Sequence, residues 1–246
     1  MKTYGIIGNP LEHSFSKQYF TDKFENEKIE AQFLNFEIPS IEKILDVVDS
    51  NPQLKGLCVT IPYKEKVIAY LDEIDPLAKE IGAVNSIQIK HKGDKVYLKG
   101  YNTDIFGFGE SLKSFIEGND LKALILGTGG ASKAVETALR NMKIDFISVS
   151  RKRTEKSISY EEITEEIITD HKLIINCTPL GTFPKTDTCP DIPYALLNKT
   201  FYLYDLVYNP NTTLFMAKGL EHGAKVHNGL KMLHLQAEES WKIWNE

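Results

Sequence analysis

A glycine-rich segment, Gly127-Thr-Gly-Gly-Ala-Ser132, directly follows an apolar run and precedes a helical pattern. Glycine permits the tight turn between a strand and a helix, and its missing side chain lets backbone N–H groups approach a phosphate. The N-terminus of the following helix adds a positive dipole end. Ser132 stands where the general G-x-G-x-x-G pattern has its third glycine. The segment predicts a pyrophosphate-binding turn, and the alternative is an ordinary strand-to-helix turn.

The second strand of this region ends in cations instead of an acid. An NAD-binding domain usually has Asp or Glu about 20 residues after the glycines, where it holds the ribose 2′-hydroxyl. This chain has Ser150-Arg151-Lys152-Arg153 at that place. A guanidinium matches the oxygens of a 2′-phosphate, which a carboxylate would repel. The turn therefore favours NADP over NAD, and the alternative is a solvated basic turn.

Polar side chains also follow two other predicted strands. Asn176 and Thr178 come at the end of a third strand, and strand carboxyl ends line the ligand crevice of a doubly wound sheet. They are candidates to face the cofactor ribose or nicotinamide. Ser14 and Ser16 lie between the first strand and a helix beginning near Lys17, where Ser16 suits an N-cap. Together with free helix N–H groups, these hydroxyls predict a grip on a substrate carboxylate.

The elements that position these residues alternate along the chain between short apolar runs and amphipathic stretches. Strand–helix alternation predicts βαβ units, mostly parallel sheets and an α/β fold class. The predicted strands are Tyr4–Ile7, Leu57–Thr60, Leu121–Leu126, Phe146–Val149, Leu173–Asn176 and Leu203–Asp205. The predicted helices between them include Ile41–Asp49, Lys64–Asp72, Ala131–Asn141 and Tyr160–Ile168.

A domain boundary is expected near residue 103. Ile87–Leu98 carries a Lys92-Gly93-Asp94 turn that indicates a hairpin, and Asp104–Glu117 reads as a helix before a new α/β unit. The last helix, Leu230–Asn245, has an apolar stripe suited to packing on the first domain. We therefore predict domains at 1–103 plus 230–246 and at 104–229, with a cleft between them.

Composition excludes several other classes. The formal net charge of −5 gives no reason to expect a nucleic-acid partner. No apolar run approaches the roughly 18 residues of a membrane helix, and the N-terminal residues lack the length and the small-residue cleavage site expected of a signal peptide. Three cysteines without metal-like spacing indicate reduced thiols in a cytoplasmic protein, and the scattered histidines give no support for a metal site.

The chain resembles the shikimate dehydrogenase family. Nine motifs carry the resemblance, in family order and spanning residues 8 to 241: GNPLEHSFS, VTIPYKE, GAVNS, GYNTD, GTGGASKA, NCTPLG, DLVYNPNTT, NGLKML and LQAEESW. The resemblance implies a substrate domain followed by a Rossmann NADP domain. It also implies reversible reduction of 3-dehydroshikimate to shikimate in chorismate and aromatic amino-acid biosynthesis.

The resemblance also implies roles for individual residues. Ser14 and Ser16 would bind the substrate carboxylate, and the ring hydroxyls and reacting oxygen would meet Thr60, Asn85, Asp104 and Gln236, with Tyr208 close by. The dinucleotide would lie on Gly127, Gly129, Gly130 and Ala131. Its adenosine phosphate would meet Ser150, Arg151 and, as a further candidate, Arg153, while Leu206 and Gly229 would approach the nicotinamide. Many family members have Asn-Arg-Thr after the second Rossmann strand, so the cation that meets the 2′-phosphate stays open.

Lys64 is the candidate acid/base for ketone reduction, with Asp104 as its partner. Pro62 precedes Lys64 and Glu65–Tyr70 looks helical, so we expect Lys64 near a helix start, where a cation is disfavoured. Desolvation would ease proton loss further, whereas Asp104 would favour the ammonium. Interacting groups titrate as a unit, so the sequence leaves open which of the two transfers the proton. The alternative is a plain salt bridge.

Three other functions stay open on the sequence. The first is a quinate/shikimate dehydrogenase that uses NAD, against which the basic turn argues. The second is a non-catalytic NADP-binding regulator, which would have no need of both Lys64 and Asp104. The third is a methylenetetrahydrofolate-type dehydrogenase, but the paired serines and Asn85 suit a small polyhydroxy acid better than a pterin. A monomer and a homodimer are both compatible with the sequence.

Overall fold

The computed structural model describes residues 1–11, 14–93, 95–118 and 120–246. The chain forms two compact units, residues 1–103 with 236–246 and residues 104–235. The sequence places the return to the first unit at residue 230, whereas the structure places it at residue 236, inside the last helix. The start of that helix is tied to the second unit, because the Lys231 ammonium donates to Ser114 Oγ at 2.6 Å.

The first unit is built on a six-stranded mixed sheet in the order β2-β1-β3-β5-β6-β4. Its strands are β1 (Lys2–Gly8), β2 (Ala31–Glu37), β3 (Leu54–Val59), β4 (Glu73–Ile74), β5 (Ser86–Lys92) and β6 (Lys95–Tyr101). Its helices are α1 (Phe15–Asn26), α2 (Ile44–Ser50) and α3 (Pro76–Ile81). The antiparallel pairing of β5 with β6 confirms the predicted hairpin, although Asp94 of its turn lies outside the described residues.

Alternation along the strands gives this sheet two buried faces. Ile7, Leu57 and Ile87 point to the side covered by α2 and α3, whereas Tyr4 and Ile6 point to the opposite side. The second side packs on α1 through Phe20 and Phe24 and on the end of the last helix through Trp244. The last helix therefore completes the core of the first unit, as its apolar stripe predicts.

The second unit has a fully parallel sheet in the order β12-β11-β10-β7-β8-β9. Its strands are β7 (Ala123–Leu126), β8 (Phe146–Ser150), β9 (Ile158–Ser159), β10 (Leu173–Asn176), β11 (Tyr202–Asp205) and β12 (Lys225–His227). Its helices are α4 (Asp104–Lys113), α5 (Gly130–Asn141), α6 (Glu165–Asp170) and α7 (Leu214–Glu221), and α8 (Leu230–Trp244) begins in it. This doubly wound arrangement confirms the predicted Rossmann-type half and the α/β fold class.

The segment after Lys64 differs from its prediction. The sequence predicts a helix over Lys64–Asp72, but the structure has only a short 3₁₀ helix at Lys66–Tyr70. The backbone N–H of Asp72 donates to Leu98 O at 2.9 Å, and its carboxylate accepts from Leu98 N at 2.8 Å. These bonds draw the chain onto the edge of β6, so a longer helix cannot form there.

None of the helices in the described ranges combines the length and the apolar character that crossing a membrane requires.

We expect Gly56→Ala to lower the free energy of unfolding by about 1–3 kcal/mol, because an added Cβ would overlap the buried Trp244 ring. Gly109→Ala is the matched control. Gly109 lies inside α4 with no heavy atom within 4 Å of an added Cβ, so alanine there should stabilise by about 0.5–1 kcal/mol. Melting temperatures should shift by about 2–4 °C per kcal/mol in opposite directions. Equal shifts of the two variants would contradict this packing.

Candidate functional site

One edge of the first unit's sheet collects polar side chains. β3 ends there, β5 begins there and β6 ends there, since Ser86 pairs with both Cys58 and Tyr101. Thr60, Asn85 and Thr103 lie at or just beyond these strand ends. Asp104 follows Thr103 in the chain as the first residue of α4. The topology thus brings together residues that are far apart in sequence.

Asn85 is the centre of a buried hydrogen-bond network at this edge. It is 4% exposed, and its Oδ1 accepts from the N–H and the hydroxyl of Thr103 at 2.7 and 3.2 Å. Its Nδ2 donates to Thr103 Oγ1 at 3.0 Å and to Gln236 Oε1 at 3.4 Å. Ser240 Oγ lies 3.1 Å from Thr103 Oγ1. The network fixes two predicted substrate residues, Asn85 and Gln236, beside each other.

Lys64 is anchored next to this network through its backbone. Its carbonyl oxygen accepts from Val84 N at 2.8 Å, one residue before Asn85. The residue is half-buried and lies in a turn, not at the start of an α-helix. The expected dipole effect of a helix on Lys64 is therefore wrong, because the five residues Lys66–Tyr70 that come after it form only a 3₁₀ segment.

The two serines of the first loop take different places from those expected. Ser14, not Ser16, is the N-cap of α1, and its Oγ accepts from Lys17 N at 3.4 Å. Ser16 is buried within the first turn of α1. Thr60, at the end of β3, is held by a hydrogen bond from its N–H to Ile7 O at 3.0 Å. Glu12 and His13 of the same motif lie outside the described residues.

The glycine-rich turn of the second unit leads directly from β7 into α5. Gly127 has φ +102°, and a Cβ there would lie 2.9 Å from the Thr178 side chain, so glycine is required on both grounds. Gly129 is the N-cap of α5 without a side-chain capping bond, and Gly130 and Ala131 are exposed. The turn leaves the N–H groups at the start of α5 open to an anion. Ser132 is buried and donates to Gly129 O at 2.7 Å.

The arginines of the basic turn after β8 have different surroundings. Arg153 is paired with Glu162, whose other oxygen accepts from Ser159 N at 2.7 Å. Arg151 is exposed and has no side-chain partner within the described part of the chain. Ser150 Oγ lies 2.8 Å from Ser157 Oγ, which closes the turn. The turn therefore presents Arg151, while Glu162 engages Arg153.

A buried carboxylate, that of Asp205, organises the loops that follow β10 and β11 in the second unit. Asp205, at the end of β11, accepts from Asn176 Nδ2 at 2.9 Å, Val207 N at 3.0 Å and Thr213 Oγ1 at 2.5 Å. Asn176 is itself fully buried, and its Oδ1 accepts from Thr178 N and Thr178 Oγ1 at 2.9 and 2.6 Å. Both ends of the Asn176 amide are thus used within the fold, as they are for Asn85. Asn176 supports Thr178.

Leu206 and Gly229 are adjacent in the same unit. A Cβ at Gly229 would collide with the carbonyl of Leu206, and Gly229 N donates to Val207 O at 3.2 Å. Tyr208 lies two residues on from Leu206, with 37% of its surface exposed, and partial burial raises its pKa. The backbones at Leu206 and Gly229 therefore approach as closely as glycine allows. Among the described residues, no group of three or more His, Cys, Asp or Glu side chains is arranged to hold a metal ion.

Comparison with known proteins places this arrangement in a family. The model of the shikimate dehydrogenase substrate binding domain matches residues 6–87. The shikimate dehydrogenase (NADP(+)) of Clostridium beijerinckii is 40% identical, over 100% of this chain and 93% of that protein. The chain belongs to the shikimate dehydrogenase family.

Solved structures of this family show the same architecture. Shikimate 5-dehydrogenase from Thermus thermophilus, in complex with NADP(H) and shikimate, has a TM-score of 0.86 at 28% identity over 99% of this chain and 93% of that one. The enzyme from Listeria monocytogenes, in complex with shikimate and NAD, has a TM-score of 0.84 at 25% identity over 100% and 92%.

Four residues of these networks are not singled out by the sequence: Thr103, Ser240, Asp205 and Thr213. Each lies inside a quoted family motif, GYNTD, LQAEESW or DLVYNPNTT. The motif was therefore the available signal. Their roles depend on hydrogen bonds to residues distant in sequence, which local patterns do not reveal.

Replacement of Asp205 by Asn should remove a pH dependence of stability. Burial raises the pKa of the Asp205 carboxyl from 3.8 to about 6. Because the folded-state value is raised, this carboxyl stabilises the fold most below about pH 4, and that stabilisation, up to about 3 kcal/mol, is lost as pH rises through 6. The free energy of unfolding of Asp205→Asn should therefore gain on wild type between about pH 4 and pH 7, measured by urea unfolding.

Asp170→Asn serves as the control for this measurement. Asp170 is an exposed carboxylate of the same unit, and its hydrogen bond from Lys122 lowers its pKa. Its replacement should bring no gain with rising pH. Parallel pH profiles of Asp205→Asn and wild type would contradict the assigned burial of the charge.

Proposed function

We propose that the protein is an NADP-dependent shikimate dehydrogenase, which reversibly reduces the ring ketone of 3-dehydroshikimate to the alcohol of shikimate. The observation that carries the proposal is the buried network of Asn85, Thr103 and Gln236 at one sheet edge. Neutral amides and hydroxyls recognise several hydroxyl groups on one small ring, whereas a pterin would require a larger apolar slot. Full-length similarity to NADP-dependent shikimate dehydrogenases supports the same activity.

The substrate half would be residues 1–103 together with residues 236–246. Ser14 and Ser16, at the start of α1, would bind the carboxylate, since hydroxyls and helix N–H groups suit an anion. Thr60, Asn85 and Gln236 would hold the ring hydroxyls, and Asp104 and Tyr208 would complete the set around the reacting oxygen. The monomer and the homodimer both remain compatible with this assignment.

The cofactor half would be residues 104–235, and its residues fit NADP. The uncapped start of α5, with Gly127, Gly129, Gly130 and Ala131, offers N–H groups to a pyrophosphate. Arg151 carries a guanidinium without a competing partner in the described chain, so we assign it to the 2′-phosphate, with Ser150 beside it and Arg153 engaged by Glu162. Thr178, Leu206 and Gly229 would border the nicotinamide, with Asn176 supporting Thr178 from below.

The chemistry then divides between the cofactor and the chain. NADPH supplies the hydride when bound. Lys64 and Asp104 would hold and move the proton at the carbonyl oxygen. Either Lys64 or Asp104 would pass the proton to that oxygen. The hydrogen bond from Val84 N to Lys64 O holds the backbone of Lys64 close to Asn85.

The direct experiment is an assay of the purified full chain for shikimate-dependent NADPH formation, followed by the absorbance of reduced nicotinamide. Quinate in place of shikimate and NAD in place of NADP are the controls, since one similar structure contains NAD. Activity with shikimate and NADP well above the other combinations is the expected result. A preference for quinate or NAD would instead favour the quinate/shikimate alternative, and no turnover would favour a non-catalytic regulator.

Lys64→Ala and Asp104→Ala should each lower kcat by roughly 100-fold or more, because acid/base help at the carbonyl oxygen is lost. Lys66→Ala is the control, since Lys66 is an exposed lysine of the same segment. It should leave kcat near wild type. Melting curves establish that each variant is folded. Near-normal turnover of a folded Lys64 or Asp104 variant would remove that residue from the proton transfer.

A further inference from the structure

Asp205 is a fully buried carboxylate that the proposed proton transfer does not use. It joins three segments of the second unit through one hydrogen bond to each. The donors are the side chain of Asn176 at the end of β10, the backbone N–H of Val207 after β11 and the hydroxyl of Thr213 before α7. Burial of a carboxylate is costly unless it is hydrogen-bonded, and these three donors offset that cost.

Two of these segments, which follow β10 and β11, lie beside the glycine-rich turn. Asn176, held by Asp205, fixes the backbone and the hydroxyl of Thr178. The Thr178 side chain lies 2.9 Å from the position of a Cβ at Gly127. Leu206 N donates to Asn176 O at 3.0 Å, so the residue that follows Asp205 is tied to the end of β10. The position of Thr178 and Leu206 relative to Gly127 thus depends on the Asp205 carboxylate.

The third segment is the start of α7. Thr213 Oγ1 donates to Asp205 and accepts from Met216 N at 3.3 Å as the N-cap of that helix. Removing the carboxylate would leave three buried donors without their acceptor, which is unfavourable in the interior of the fold. Asparagine is able to replace it, because its Oδ1 accepts from Asn176 and Val207 while its Nδ2 donates to Thr213 Oγ1.

We propose that Asp205 is a positioning residue, which sets the wall of Thr178 and Leu206 on the nicotinamide side of the cofactor site. The inference rests on the proposed use of NADP. On the adenosine side, the start of α5 and the turn at Ser150–Arg153 would provide the contacts. Asp205 would have no role there. The two sides of the cofactor should therefore respond differently to a change at this residue.

Two probes separate these sides in the full chain without substrate. NADP reaches both sides, whereas adenosine 2′,5′-bisphosphate carries only the adenosine phosphates. Titration calorimetry should show that Asp205→Ala weakens NADP binding by about 10-fold or more, while the bisphosphate Kd changes less than about two-fold. Asp205→Asn should restore NADP binding to near the wild-type Kd. Asp170→Ala, the removal of an exposed carboxylate in the same unit, should leave both constants unchanged.

Equal weakening of both probes, or no weakening of NADP binding, would overturn the inference, since the first result indicates a general structural effect. Wild-type protein that binds neither probe would overturn the proposed cofactor, and the inference with it. If Asp205→Ala does not fold, Thr213→Val removes a single donor and Thr213→Ser keeps the hydroxyl. The selective loss of NADP affinity must then appear in the valine variant and be restored in the serine variant.

Discussion

A buried amide or carboxylate must find its hydrogen bonds inside the fold, because an unpaired polar group in the interior costs more than most single contacts contribute. Both units of this protein are organised around one such group. In the first unit Asn85 joins the end of β6 to α8 through Thr103 and Gln236. In the second unit Asp205 joins the ends of β10 and β11 to α7. The loops at each sheet edge are therefore held by hydrogen bonds in the interior.

The sequence predicts well the features that are determined locally. The strand at Leu173–Asn176 has the predicted bounds, because a short apolar run between polar residues admits one buried register. The turn at Gly127 follows from glycine chemistry, and its φ of +102° is what that chemistry requires. The hairpin of β5 and β6 follows from two β-like runs around a glycine turn. Each of these features needs only its own neighbours in the chain.

The errors arise where a distant part of the chain decides the local structure. The helical pattern after Lys64 yields to strand pairing, because Leu98 engages both the backbone and the side chain of Asp72. The amide of Asn176, at the end of β10, donates to Asp205, which lies 29 residues away in the sequence. Neither contact is predictable from the local sequence, because each is made with a residue that is distant along the chain. The sequence therefore indicates at which strand end a residue lies more readily than the direction in which its side chain points.

The last helix shows how packing far from the candidate site controls it. Gln236, Ser240 and Trp244 are spaced by four residues and share one face of α8. Trp244 rests on the backbone of β3 at Gly56, where no side chain fits beneath the ring. At the other end of this face Gln236 meets Asn85 at 3.4 Å, close to the limit of a hydrogen bond. A methyl group at Gly56 would displace the Trp244 ring, and with it the end of the helix that carries Gln236. The absence of a side chain in the middle of β3 is thus a condition for the position of Gln236 at the end of the sheet.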